Sequence, residues 1–567
     1  MLLRRIDLTE FRGLRHATVE FDPTTALIGE NSAGKSTLLD AIAICCSGHG
    51  DRVRIEMRDF HQDGDAPPST TLRIVLTFQE TAREWEEAPW APFRPFIRVD
   101  AEGRRSLRLA VVGRRDQAAS TVDASWSFAG LDDARPGPEG LLAEWRRLSP
   151  ILRLRANRYV EEDPRGESDA PEAEAVPLAE DDPVASQLER QIRLVYDRLT
   201  GDSDLQEAEL RRGLEAAEAY LAGQAPYRRT PAPLPPLMRE LAETPILGGR
   251  RDESLLSAIK QGRGARGVAL VGLIGVILEE RQRRIFAADA QPLLILEDIE
   301  SHLHPTTLSA MWELVERLPA QKIVTTNSGD LLAAVPLHAI RRIVTDAKGT
   351  RAYRIDSARY SVDDLRHIGY HVRLNRAGAL FARCWLFVEG ETEAWLLPEL
   401  ARIGGYDFPA EGIRCVEFAQ SGLTSLLRLA NDFGIEWHML TDGDEAGHAY
   451  AATARAYLKG RPIEDRVTML DEPDIEHCLY YNGYAELYQK FAGVAGAGPH
   501  GRRGRERASS IIARAIRARS KPGLALAALE AANRPGSPGV PPQLRATIDT
   551  VVRLARPEGR DGLEADG

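Results

Sequence analysis

The sequence predicts a multi-domain α/β protein. A nucleotide-binding unit is split by a helical insertion, then followed by a second α/β unit and a basic helical C-terminal region. Three observations carry this prediction. The pattern G-x4-G-K-[S/T] occurs at Gly29-Glu30-Asn31-Ser32-Ala33-Gly34-Lys35-Ser36, after a short apolar strand and at the start of an apolar helical run. The apolar strand ending in Glu297-Asp298 that should complete such a unit comes far too late for a minimal nucleotide domain, with Lys35 and Asp298 lying 263 residues apart. Strand-and-helix alternation then starts afresh at Cys384.

In order along the chain, Leu2 to Leu8 and Ala17 to Phe21 alternate apolar and polar residues as strands do, and Thr24 to Ile28 reads as a short buried strand. A helix is expected from Ser36 to Cys46, and further strands at Leu72–Phe78 and Leu107–Val112. Residues 161–182 are rich in acid, Pro and Ala and read as a surface loop or linker. Two amphipathic helical stretches, about 183–200 and 204–223, end at the proline-rich 231–236. Alternation resumes at about 265 and continues to about 356. The predicted units are 1–160 and 246–375 as the halves of the nucleotide-binding unit, 161–245 as the insertion, 380–500 as the second unit, and 501–567 as the basic helical region.

Composition narrows the function. With 567 residues and 43% hydrophobic content the chain is neither disordered nor fibrous. The longest apolar run, Val268 to Leu278, suits a buried helix and is too short to span a bilayer, so no membrane partner is expected. The N-terminal residues lack the apolar core of a signal peptide, and five cysteines in no metal-binding pairing suit a reducing cytoplasm. A net charge of −11 excludes a generally basic surface. A polyanion partner must meet a local basic patch, or acidic sites bridged by metal. Only seven of the 73 basic residues are lysine. Where arginine is the default, a lysine marks a position that wants a compact point charge; Lys35 and Lys521 are two such positions.

In the phosphate loop, Gly29 and Gly34 let backbone N–H groups, with Asn31 between them, turn inward around phosphate at a helix N-terminus. Lys35 would hold the β and γ phosphates of ATP, and Ser36, with Thr37 beside it, would ligate Mg2+. Glu297 is placed to ligate the same Mg2+ and Asp298 to polarise the attacking water. Lys322-Ile-Val-Thr-Thr-Asn327-Ser328 is a strand running into polar residues that would sense the γ-phosphate. His302 and His304 invite a zinc reading, but no further ligands lie at suitable spacing, which favours a packing or helix-start role.

Phe11-Arg-Gly-Leu14, the phosphate loop, Leu296-Glu-Asp-Ile-Glu-Ser-His-Leu-His-Pro305 and Thr325-Thr-Asn-Ser328 together resemble the ABC-type ATPase head of the OLD (overcoming lysogenization defect) family. Those relatives are ATP-dependent DNA endonucleases with a C-terminal Toprim domain. The resemblance implies an ABC/SMC-like P-loop ATPase with a helical insertion, a Rossmann-like Toprim domain and a helical C-terminal tail. It is closest from about 290 to 525.

The second unit also reads physically. Trp385-Leu-Phe-Val-Glu389 delivers an acid at a strand end, with Glu393 one helical turn on. Trp437-His-Met-Leu-Thr-Asp442-Gly-Asp444 is another apolar strand ending in acids two apart. Carboxylates at neighbouring strand ends suit hard Mg2+ or Mn2+, which would ready a water and steady the leaving oxygen of a phosphodiester. The resemblance assigns Glu389, Glu393, Asp442 and Asp444 to metal binding and adds Glu476. It also implies that Lys521 steadies the phosphate in the nuclease centre. Gln420-Ser421-Gly422 is a turn that would approach the same metals. Arg502, Arg503, Arg505, Arg507, Arg514, Arg517 and Arg519 form a cluster suited to DNA phosphates, with no base-reading motif.

Three features depart from ABC-type ATPases: Asn327 stands where histidine is usual, Asp298 is a methylene shorter than the usual glutamate, and only the degenerate Gln261-Gly-Arg-Gly-Ala265 offers a signature. These departures imply slow hydrolysis, with ATP acting as a gate. The expected function is an ATP-regulated, metal-dependent DNA endonuclease or nickase in DNA repair or phage defence. The resemblance implies a homodimer built through the insertion, and a helicase partner leaves no trace. One alternative is a non-nucleolytic DNA-binding repair ATPase of clamp or loader type. Another is a Toprim topoisomerase or primase; a topoisomerase would need a nucleophilic tyrosine, whereas Tyr480, Tyr481, Tyr484 and Tyr488 sit in a partly apolar helical setting that suits core packing.

Overall fold

The computed structural model describes residues 1–46, 53–64, 66–81, 84–116, 121–128, 139–155, 292–298, 300, 308, 312, 315–316, 320–346, 349–369, 377–419, 422–494 and 502–556. The acidic segment, both insertion helices, the 261–265 segment, His302, His304, Gln420 and Ser421 lie outside the described residues. The chain divides into two compact units, Met1–Ala352 and Tyr353–Gly567.

The first unit is built on a twelve-stranded sheet. Its strands are β1 (Leu2–Phe11), β2 (Leu14–Glu20), β3 (Thr24–Ile28), β4 (Thr71–Gln79), β5 (Arg98–Val99), β6 (Arg105–Asp116), β7 (Thr121–Phe128), β8 (Ile151–Arg155), β9 (Leu293–Glu297), β10 (Gln321–Thr325), β11 (Ile340–Asp346) and β12 (Gly349–Tyr353). They run in the order β5-β6-β4-β1-β2-β12-β11-β3-β10-β9-β8, with β7 paired to β6. The antiparallel arm alternates: Leu72, Ile74, Leu76 and Phe78 of β4 point into the core while their neighbours face outward. By contrast β9 and β10 are buried at every position, the mark of a parallel strand covered on both faces. β10 is parallel to β3 on one side and β9 on the other, and Thr325 is the register partner of both Leu27 and Glu297. The residues after these three strands therefore emerge at one sheet edge, where open α/β sheets bind ligands. Helix α1 (Lys35–Cys46) leaves β3 at that edge.

Two elements of this unit carry no period that a sequence reading would catch. Residues 84–96 form short 3-10 turns broken by prolines, and α2 (Leu141–Leu148) follows a left-handed Gly140. They bring Trp90, Phe93 and Trp145 into one edge-to-face aromatic cluster over Phe78 and Phe128.

The second unit has four parallel strands, β13 (Cys384–Val388), β14 (Ile413–Glu417), β15 (Glu436–Thr441) and β16 (Val467–Met469), in the order β14-β13-β15-β16. Numbering continues with α3 (Gly329–Ala334) in the first unit, then α4 (Val362–Ile368), α5 (Glu391–Ile403), α6 (Leu423–Asp432), α7 (Glu445–Arg455), α8 (Ile475–Leu479), α9 (Ala485–Ala492), α10 (Arg502–Arg519), α11 (Lys521–Ala532) and α12 (Pro542–Ala555). The C-terminal region is helical as expected, but it is no loose tail. Ile512, Leu524, Leu544, Ile548 and Val551 join Leu386, Leu396 and Leu440 in one core. Tyr480, Tyr484 and Tyr488 are buried there too, as packing residues. Among the described residues no helix is long and apolar enough to cross a membrane.

Candidate nucleotide and metal sites

The nucleotide site begins with the loop between β3 and α1. Gly29 and Gly34 have φ of 145° and 84°, which glycine adopts without strain. A Cβ at Gly29 would lie 2.3 Å from the Ile343 carbonyl oxygen, and one at Gly34 2.5 Å from Leu14 Cδ2. The loop is thus pressed against β11 and β2. Lys35 is buried, and its Nζ donates to the carbonyls of Gly29 (2.6 Å) and Glu30 (3.0 Å). Burial pulls its pKa down against the attraction of Asp298, Glu30 and Glu300. A buried ammonium held by carbonyls in a helix-initiating loop fits an incoming phosphate. Ser36 is exposed at the start of α1, with Thr37 half-buried beside it.

Across the sheet edge, Glu297 ends β9 buried, with its Oε1 accepting from Arg153 Nε at 2.5 Å. Asp298 has a φ of 48°, and its N–H reaches both the carbonyl and the hydroxyl of Thr325. Burial, then repulsion from Glu300, raises the Asp298 carboxyl, with Lys35 opposing. Asn327 donates its side-chain amide to Asn31 Oδ1 at 3.3 Å, joining the expected sensor segment to the phosphate loop. Glu300 was not anticipated. Its Oε1 accepts from the Thr326 hydroxyl (2.8 Å) and the Asn327 backbone N–H (2.7 Å), while its Oε2 is buried with no hydrogen-bond partner. Its only sequence signal is its place two residues beyond the acid pair.

The second site lies at the C-terminal edge of β13 and β15, which are adjacent parallel strands. Glu389 follows β13. Gly390 then caps α5, and Glu393 in the first turn accepts from the Gly390 N–H at 3.1 Å. Asp442 follows β15, and Asp444 caps α7 through the Gly447 N–H at 2.8 Å. Glu476, in the first turn of α8, is 2% exposed and pairs with Lys521 Nζ at 3.2 Å. Lys521 opens α11 after Ser520, a non-glycine at φ 65°.

Charge at this site is out of balance. Burial first, then repulsion from Glu393, Glu389 and Asp474, pushes Asp442 up to about 8. Burial, then Asp444 and Glu393, raises Glu389, and burial raises Glu476 against the pull of Lys521. Lys521 is raised: burial opposes its charge, but Glu476, Asp474 and Glu393 outweigh it. Glu389 Oε2 and Glu476 Oε1 are buried without hydrogen-bond partners. Among the described residues no three His, Cys, Asp or Glu side chains close on a single point. Mutually repelling carboxylates hold apart unless a cation draws them in. The all-oxygen donor set, orphaned oxygens and raised carboxyls fit a hard divalent ion.

Asp474, His477, Ser509 and Gly447 stand at this site without being among the expected site residues. Asp474 caps α8 and accepts from His477 Nδ1 at 2.6 Å, while His477 Nε2 meets Ser509 Oγ of α10 at 2.9 Å. A Cβ on Gly447 would lie 1.8 Å from the Asp442 carbonyl oxygen, so only glycine lets α7 start against the acid loop. Asp474 was visible in the run Asp474-Ile475-Glu476; Gly447 had only its place five residues after Asp442. On α10, Arg519 lies over the Phe491 ring, 5.0 Å from its centroid, and Arg514 and Arg517 share the same helix.

With these sites in place the chain can be assigned. It joins a P-loop ATPase-type head to a Toprim domain, and it belongs to the family described as "Protein of unknown function (DUF2813)", whose model matches residues 1–379. The model of the "Overcoming lysogenization defect protein-like, TOPRIM domain" matches residues 380–444. Glu389, Glu393, Asp442 and Asp444 fall inside that match; Glu476 and Lys521 lie beyond it. The chain is 35% identical to the uncharacterized protein YbjD of Escherichia coli K12, covering 98% of this chain and 99% of that one. It is 25% identical to the DNA replication and repair protein RecF of Thermomicrobium roseum, covering 60% of this chain and 97% of RecF. The solved C-terminal region of the Burkholderia pseudomallei OLD protein is 16% identical and covers 31% of this chain and all 100% of that one, at a TM-score of 0.25.

Proposed function

We propose that the protein is an ATP-regulated, divalent-metal-dependent DNA endonuclease or nickase acting in DNA repair or phage defence. The observation that carries this reading is the cluster of carboxylates after two adjacent strands, half-buried at Glu389 and Asp442 and fully buried at Glu476, with one oxygen each of Glu389 and Glu476 left without a hydrogen-bond partner and Lys521 paired to Glu476. Binding DNA alone gains nothing from clustered acids, which repel it; a hydrolytic centre needs them. A divalent ion (Mg2+ or Mn2+) held by Glu389, Glu393, Asp442, Asp444 and Glu476 would supply an activated water and offset charge on the phosphodiester. Lys521, anchored by Glu476, places its ammonium beside the acids, where it would meet a phosphate oxygen. The arginines of α10 would hold the DNA backbone without reading bases.

In the head, Gly29, Asn31, Gly34, Lys35, Ser36 and Thr37 would cradle ATP. Ser36 and Glu297 would hold its Mg2+, with Asp298 and Asn327 at the γ-phosphate. Pairing of two chains as a homodimer would follow the ABC pattern. The test is incubation of supercoiled plasmid with Mg2+ or Mn2+, with and without ATP, beside Asp442→Ala. Nicked or linear product from the unaltered protein alone supports the nuclease. Intact plasmid in every lane, from protein that binds both ATP and DNA, refutes it in favour of a non-nucleolytic repair ATPase.

A further inference from the structure

Arg153 had no assigned role, yet its surroundings are unlike those of a packing arginine. It lies on β8, one strand beyond β9, with Ile295 as its register partner. An arginine on an outer strand ordinarily runs its head out to water. This side chain is 16% exposed and turns along the strands to the site: Nε meets Glu297 Oε1 at 2.5 Å and Nη1 meets Asp40 Oδ1 at 2.6 Å. Asp40 stands on α1 four residues after Ser36, so both lie on one helix face, a turn apart. One guanidinium thus bridges the helix that presents Ser36 and the strand that presents Glu297.

The bridge is itself braced. Arg12 also pairs with Asp40, and its Nε meets Asp59 Oδ1 at 2.8 Å. Arg153 Nη2, moreover, is buried with no hydrogen-bond partner. A buried guanidinium N–H is costly to leave unmade, and a group entering the site would complete it.

We infer that Arg153 is a positioning residue for the Mg2+ that accompanies the nucleotide: it clamps Glu297 to α1 so that Glu297 and Ser36 address the same ion. The inference rests on the nucleotide reading above and names the residue that sets its geometry. Lysine cannot replace the clamp, because a point charge does not span two carboxylates as the planar fork does.

The test measures ATP affinity of the full-length protein by calorimetry, in EDTA and in Mg2+. Arg153→Lys keeps the positive charge while removing the planar fork. Outer-shell partners of metal ligands are worth roughly 10–100-fold in metal affinity. R153K therefore loses on the order of tenfold or more of the Mg2+-dependent gain in ATP affinity, while affinity in EDTA stays as it was. In a Glu297→Gln background the same change adds no further loss, because the clamp acts through that carboxylate. Undiminished Mg2+ dependence in R153K overturns the inference, as does an equal loss with and without Mg2+, the signature of a purely structural role. If E297Q alone leaves the Mg2+ dependence intact, or the unaltered protein binds no ATP, the nucleotide reading falls and the inference with it.

Discussion

Asp442→Asn should make the metal-free protein more stable while removing its response to metal. Asp442 has its pKa displaced from 3.8 to about 8 by burial and by Glu393, Glu389 and Asp474. Between those two values the folded chain holds a proton that the unfolded chain has released. Stability therefore falls as pH rises from about 4 to about 8. At 1.36 kcal/mol per tenfold, the whole displacement is worth at most roughly 6 kcal/mol. Asp442 is only partly buried, and solvent screening leaves about half of that, some 2–3 kcal/mol at pH 8. Asparagine keeps the shape without the charge, so in EDTA the variant gains about that much at pH 8 and nothing at pH 4. Thermal unfolding of the full chain across this range, in EDTA and then in Mn2+, measures both effects. Mn2+ at a hundredfold its dissociation constant stabilises the unaltered protein by about 2.7 kcal/mol and leaves the variant unmoved. A variant less stable than the unaltered protein at pH 8 in EDTA, or one that Mn2+ stabilises equally, would refute the reasoning.

Single residues carry further expected outcomes. Lys35→Ala abolishes ATP binding, measured by calorimetry, and leaves Mn2+ binding at the second site intact. Gly447→Ala places a Cβ 1.8 Å from the Asp442 carbonyl; the strain costs on the order of 1–3 kcal/mol and displaces the acid loop, so thermal unfolding and Mn2+ affinity both register it. Arg514→Ala with Arg517→Ala weakens DNA binding alike for all sequences and lowers the slope of log affinity against log salt by about 0.9 for each phosphate that is no longer neutralised. His438 is buried neutral, its pKa lowered to about 4 by burial; Nδ1–H donates to the Asp465 carbonyl and Nε2 accepts from the Thr468 hydroxyl. Since the unfolded histidine takes up its proton below about 6.5, this group removes stability as pH falls from about 6.5 to 4, and His438→Gln flattens that limb of the unfolding profile.

Features that repeat or punctuate were legible in the sequence. β3, β13 and β15 were readable because an apolar run ends at a glycine or an acid, and Gly29, Glu389 and Asp442 stand directly beyond those ends. The turns over 84–96 and the short α2 were not, because prolines and tryptophans there serve an aromatic cluster assembled from β4, β7 and α2. Glu300, Arg153 and Gly447 were opaque for another reason. Each matters through a partner far along the chain or through a close approach of backbone, and neither leaves a period. Arg153 meets Glu297 144 residues away. The C-terminal helices were legible as helices, but their share in the Toprim core depends on which faces meet.

The two sites solve one electrostatic problem with opposite signs. Lys35 is a buried cation held by carbonyl oxygens, which leave its charge in place. Glu389 and Glu476 are carboxylates with a buried oxygen each left unpaired, and Lys521, which pairs with Glu476, serves several acids at once. A chain selected for stability alone would pair or delete such groups, since burying an uncompensated charge is expensive. Here the surplus sits where anionic phosphate and a divalent cation would arrive, so each ligand would remove a cost that the free protein carries. ATP and metal should therefore each raise the unfolding temperature, ATP failing to do so in Lys35→Ala and metal failing to do so in Asp442→Asn. Stabilisation of both variants by both ligands would mean that the charge surplus has nothing to do with binding.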